Sequence, residues 1–192
     1  AYDKAVQGLL FGADGEIVTA GRACTVQALG GTGGLRVGAD FLRRFAPGAQ
    51  VWISDPSWEN HRALFEAAGF TVNAYPYYHA PTKGLDFDGM IGALSRAPEG
   101  HVVVLHACCH NPTGADPTRE QWDRILTVVR ERGLGTLVFA DQIVRAEFGA
   151  LERVFGAAVL PAADRVAVDN VRGQVLFFRE EVARQFLFEE IG

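Results

Sequence analysis

Between residues 51 and 141 short apolar runs alternate with amphipathic stretches: VWIS, ENHRALFEAAG, FTVNAY, FDGMIGALSRA, HVVVLHA, TREQWDRILTVVRERG and TLVFAD. Strands separated by helical stretches cannot pair as hairpins. They pair in parallel through helical crossovers, so the pattern predicts an α/β fold with a largely parallel sheet and helices on both faces. The best-marked helix is TREQWDRILTVVRERG. Thr118 and Gln121 have capping-box spacing, Ile125, Val128 and Val129 form an apolar stripe, and Gly133 stands where a helix stops.

At 192 residues the chain can bury a domain-sized core, and its 48% hydrophobic and 21% charged content is that of an ordinary globular protein. A net charge of -5 leaves no basic field for phosphate backbones, which argues against nucleic acid as a partner. No apolar run approaches about 20 residues, which argues against a membrane. The start AYDKAVQGLL lacks a signal peptide's charged and apolar regions, so the expected location is cytoplasmic. Cys24, Cys108 and Cys109 do not make a disulfide framework and are read as small buried hydrophobes.

The segment HACCHNPTGAD crowds two histidines and two cysteines behind an apolar run, which raises the question of a metal. On an extended strand His106, Cys108 and His110 share a face, but the outer two then lie about 13 Å apart. One zinc ion, with bonds of about 2.0 to 2.3 Å, cannot bridge them without a sharp bend, so no metal is expected.

Upstream, ALGGTGGLRVGADFLRRF reads as a glycine-rich loop opening a helix, with Leu35, Phe41, Leu42 and Phe45 on its buried side. Backbone N–H groups at such a helix start can hold a phosphate. GGTGG is neither a Walker sequence nor GxGxxG behind a strand, so by itself it reads first as a flexible turn. Asp141 stands at the carboxyl end of TLVFA, where open α/β sheets place their ligands. His110 and Asn111 follow HVVVLHA in the same way, and Ser54, Asp55 and Trp58 stand at the end of VWIS. Three strand ends thus direct polar groups and one large aromatic to one edge.

These residues resemble a known family. TVQALGGTGGLRVGADFL, SDPSWENH, the YPYY segment, HACCHNPTGADPTREQW and the strand ending in Asp141 are similar to the large domain of class I aspartate and aromatic amino acid aminotransferases, pyridoxal 5'-phosphate enzymes of fold type I. The resemblance implies that Gly31, Thr32 and Gly33 cradle the cofactor phosphate, that Trp58 stacks on the pyridine ring, and that Asn111 donates to its phenolic oxygen. It implies that Asp141 pairs with the ring nitrogen, keeping it protonated. His61 and His110 are implied as supporting groups that orient Asp141 and the ring environment. Pro56 and Pro112 match family prolines that follow cis peptide bonds. Family members are homodimers whose substrates are amino acids and 2-oxo acids.

The family pattern stops after Asp141. The tyrosine expected shortly after it is replaced by Val144, and no lysine follows to form the Schiff base. The two lysines present, Lys4 and Lys83, read as part of an N-terminal helix and of a surface turn. Transamination is therefore expected to be impaired, because that amine is the nucleophile and proton carrier of the family reaction. The chain divides into a cofactor-binding segment, 1–141, and a tail, 142–192, expected to pack on the same domain. In the tail RAEFGALERVFGAAVL and EEVARQFLFEEIG read as helices and RVAVDN and QVLFFR as strands around a VRGQ turn. A shifted or truncated gene, a chimera and natural divergence each account for the tail. The alternative function is a non-catalytic binding or assembly module, with QFLFEEIG and VLFFR as contact surfaces.

Overall fold

The computed structural model describes residues 2–11, 13–21, 24–140, 165–169 and 175–178. Every strand and helix expected between residues 51 and 140 is present. Strands β2 (Val51–Asp55), β3 (Val72–Pro76), β6 (Val102–His106) and β7 (Gly135–Ala140) alternate with helices α4 (Glu59–Ala67), α5 (Phe87–Leu94) and α6 (Arg119–Glu131). They are preceded by α1 (Tyr2–Phe11), α2 (Glu16–Thr19), β1 (Cys24–Gln27) and α3 (Gly30–Phe45). A small hairpin, β4 (Tyr78–His79) and β5 (Gly84–Leu85), interrupts the alternation, with exposed Lys83 in its turn. The tail runs expected to be strands are strands: β8 (Arg165–Asp169) and β9 (Val175–Phe178). The two helices expected in the tail lie outside the described residues, as does Val144.

Seven strands form one sheet in the order β1-β9-β8-β7-β6-β2-β3. Neighbours from β3 to β8 are parallel, while β9 runs antiparallel to both β8 and β1. β6 is the strand that organises the core, because all five of its residues are buried. Val102 and Val104 face a core with Leu35 and Ala39 of α3 and Leu64 and Phe65 of α4. Val103 and Leu105 face the opposite core, with Met90 and Leu94 of α5 and Ile125 and Val129 of α6. The period-2 alternation of one apolar run thus supplies two cores, and helices cover both faces of the sheet.

The capping box on α6 is formed: the Thr118 hydroxyl accepts from the Gln121 N–H at 3.3 Å, and the Thr118 N–H donates to Gln121 Oε1 at 2.8 Å. Gly133 follows that helix at φ +59°, and the Leu134 N–H reaches back to the Val129 carbonyl at 3.0 Å. Two expectations change. The glycines of GGTGG lie within α3, with Gly31 and Gly34 buried, because a helix without side chains on that face can lie close to the sheet. Phe45 is 44% exposed. The buried stripe of α3 ends before its last turn, and Phe45 leans instead on Phe41, ring centroids 4.7 Å apart.

Among the described residues no helix is long and apolar enough to cross a membrane. Gly133→Ala should destabilise the chain by about 1 to 2 kcal/mol, since a side chain at that left-handed φ is strained. A lowered urea midpoint with unchanged slope checks this.

Candidate functional site

The strand order reverses direction between β2 and β6: the chain leaves β2 for β3 on one side and returns as β6 on the other. In an open α/β sheet ligands bind at such a switch point, beyond the carboxyl ends of the strands. β2, β6 and β7 all end there, and the segments that follow them carry the candidate residues.

After β2 the chain passes a cis Asp55–Pro56 bond, and after β6 a cis Asn111–Pro112 bond, as the sequence implied. β6 stops at His106, so the cysteines do not continue a strand. Cys109 takes φ +52°, and the chain curls back on itself. This corrects the extended geometry assumed for the metal question, because the His106 and His110 rings are 4.3 Å apart, centroid to centroid. His110 nevertheless has both nitrogens engaged: Nε2 lies 2.9 Å from Ser54 Oγ and Nδ1 lies 2.9 Å from Thr113 Oγ1. Among the described residues no three or more His, Cys, Asp or Glu side chains are grouped to ligate a metal. Cys108 is buried as expected, but Cys109, the left-handed residue of the turn, is only half-buried.

The rings form a continuous ladder. Trp58 meets His61 edge-on at 5.4 Å, His61 meets His106 at 5.0 Å, His106 leans on His110, and His110 stacks on Tyr77 at 3.6 Å with the planes 13° apart. Ser57 Oγ lies 2.9 Å from His61 Nδ1, which fixes the orientation of that ring. The Tyr77 hydroxyl donates to the Ala115 carbonyl at 2.7 Å, tying the ladder to the turn. His106 was read from the sequence only as a possible metal ligand, yet it is the centre of this stack. The signal for it was its place as the last residue of a wholly buried strand, where a polar side chain needs a reason to be.

Burial keeps all three histidines neutral. His61 and His110 are lowered to about 4, His61 also by the nearby His110. His106 is lowered to about 2, first by burial and then by His110 and His61. A proton on any one ring would be desolvated and would repel a proton on the next.

Gly31, Thr32 and Gly33 lie in the first turn of α3, where backbone N–H groups have no intrahelical acceptor. No side chain caps that turn and no acidic residue lies in it. Leu29 precedes it, 94% exposed, and Gly30 takes φ +69° with open space around it. The first turn therefore offers uncapped donors and a positive dipole end to an anion, which suits a phosphate. Trp58 is half-buried against the core that α3 contributes to, and Asn111 is half-buried in the turn after β6. Asp141 lies outside the described residues; β7, which leads to it, ends one residue earlier. Trp58, His61 and His110 are thus brought together and Asn111 follows directly on His110, while α3 reaches the core beside Trp58 through Leu35, Ala39 and Phe41.

The family model for aminotransferase class I and II matches residues 1–150. The aspartate aminotransferase of Pseudomonas aeruginosa is 56% identical over 133 residues, 69% of this chain and 33% of that protein. The aromatic-amino-acid aminotransferase of Escherichia coli is 48% identical over 149 residues, 78% of this chain and 37% of that protein. Among solved structures, the aromatic-amino-acid aminotransferase from Burkholderia pseudomallei, covalently bound to pyridoxal phosphate, aligns with TM-score 0.87 and 45% identity over 95% of this chain and 49% of that one. The chain belongs to the class I and II aminotransferase family, and its α/β fold is that of the fold type I enzymes. It spans between about a third and a half of the length of these relatives.

The histidine ladder makes stability pH-dependent. With folded pKa values below the ordinary 6.5, each histidine takes up a proton in the unfolded chain first as the pH falls. Stability should therefore be full above pH 6.5 and fall between 6.5 and 4, by about 1.4 kcal/mol per pH unit for each histidine that stays neutral. Urea unfolding from pH 7.5 to 4.5 measures it, and His106→Asn should flatten the slope. A pH-independent unfolding free energy across that range contradicts the burial argument.

Proposed function

We propose that this chain carries the pyridoxal 5'-phosphate site of an aminotransferase acting between aromatic or acidic amino acids and 2-oxo acids, and that it holds the cofactor without a covalent bond. The observation that supports the reading most is the convergence at the β2–β6 switch point of Trp58, the neutral histidine ladder and the Asn111 turn. When bound, the cofactor's protonated ring supplies an electron sink for negative charge on the substrate α-carbon. The protein's residues divide the remaining tasks. Gly31, Thr32 and Gly33 offer N–H and hydroxyl donors to the phosphate. Trp58 presents its face to the ring. Asn111 donates its side-chain amide to the phenolic oxygen, and Asp141 holds the proton on the ring nitrogen. His61, fixed by Ser57, supports the ring environment behind Trp58. His110 holds the turn that carries Asn111, since Ser54 and Thr113 occupy both its nitrogens. Because the three histidines are neutral, the carboxylate of Asp141 is left as the charged partner for the ring nitrogen.

Covalent capture needs an amine at the site. Lys4, in α1, and Lys83, in the hairpin turn, are both exposed and match no lysine motif of the family. Amino transfer by this chain is accordingly weak or absent.

The test is an absorbance spectrum with added pyridoxal phosphate, followed by borohydride reduction and intact mass. The expected outcome is a perturbed spectrum that dialysis reverses and no reduction-stable mass increase. Asp141→Ala should weaken cofactor binding by about tenfold or more, the cost of one charge-assisted hydrogen bond. A fixed adduct on Lys4 or Lys83 overturns non-covalent holding, and an unperturbed spectrum overturns the site itself.

A further inference from the structure

Asp116 belongs to no expected role, yet both oxygens of its carboxylate accept from the backbone of the turn that presents Asn111. Its Oδ2 accepts from the Cys109 N–H at 2.7 Å and its Oδ1 accepts from the His110 N–H at 2.9 Å. Two consecutive amides pointing the same way, one of them on a left-handed residue, form a concavity that attracts an anion. Cys109, at φ +52°, is that residue. A non-glycine residue there is strained by about 1 kcal/mol or more, so the conformation persists only where contacts hold it. Here the anion is the chain's own carboxylate, seven residues beyond Cys109.

The rest of the turn is secured elsewhere. The Gly114 N–H donates to the His110 carbonyl at 2.7 Å, and the Ala115 N–H donates to the Thr113 hydroxyl at 3.1 Å. The backbone N–H of Asn111 itself has only a long contact, 3.4 Å to His106 Nδ1. Asn111 therefore takes its position from its two neighbours on the amino-terminal side, and both are gripped by Asp116.

We propose that Asp116 is a positioning residue for Asn111: its carboxylate fills the backbone concavity of Cys109 and His110 and sets where the Asn111 amide stands. This rests on the reading of Asn111 as a cofactor contact. Two measurements on the full chain test it, amide hydrogen exchange at Cys109 and His110 without cofactor, and absorbance titration with pyridoxal phosphate.

In Asp116→Ala the two amides should exchange about tenfold faster, and cofactor binding should weaken by about tenfold, as for loss of a charge-assisted bond. The spectrum of the bound cofactor should shift as it does in Asn111→Ala, and the double variant should bind no more weakly than Asn111→Ala alone. Asp116→Asn, which keeps one acceptor oxygen, should recover part of both effects. The inference falls if Asp116→Ala leaves exchange and spectrum unchanged while Asn111→Ala moves the spectrum. It also falls if the double variant shows the sum of the two single losses. If exchange accelerates but neither single variant affects the cofactor, or if the unsubstituted chain does not bind it, the reading of Asn111 fails and the positioning role goes with it.

Discussion

Burial of β6 from both sides is the constraint on which the rest of the structure depends. Val102 and Val104 turn to the α3–α4 layer, and Val103 and Leu105 turn to the α5–α6 layer. A strand so placed has no solvent face, so its neighbours must be parallel strands delivered by helical crossovers. That arrangement aligns β2, β6 and β7 with their carboxyl ends on one edge. Polar residues that would be costly inside the sheet can then gather just beyond it.

The histidines at that edge are polar but uncharged. His61, His106 and His110 are buried, with the His106 ring against each of the other two, and neither desolvation nor mutual repulsion allows them to be protonated near neutral pH. They serve as hydrogen-bonding and stacking groups. Ser57, Ser54 and Thr113 hold His61 and His110 through hydroxyls, which can donate or accept as the ring nitrogens require, and the Tyr77 hydroxyl donates to the Ala115 carbonyl. A neutral scaffold of this kind places no imidazolium charge among the three rings.

Much of this was legible in the sequence. The alternating elements β2, α4, β3, α5, β6, α6 and β7 follow from the apolar runs, and the start of α6 follows from Thr118 and Gln121, whereas the β4–β5 hairpin does not. Trp58, His61, His110 and Asn111 stand out because they follow strand ends or carry a family resemblance. Less legible was the shape of the turn after β6. Treating 106–110 as extended put the two histidines far apart, whereas the left-handed Cys109 brings their rings together. Nor did the sequence mark Asp116, whose partners are backbone amides, and backbone groups leave no residue-type signature. The exposure of Phe45 depends on where α3 leaves the core, which helical periodicity does not report.

The sequence by itself determined the alternating main strands and helices between residues 51 and 140, where α6 begins, and which family the chain belongs to, because these are set by local periodicity, caps and short motifs. Only the tertiary structure decided that β2 and β6 are neighbours, and therefore that Trp58, His61, His106, His110 and Tyr77 form one ladder. Ser54 and His110 are far apart in the chain yet 2.9 Å apart in space. Such a contact depends on strand order and register across the sheet, which are fixed by the packing of all the helices together and by no residue alone.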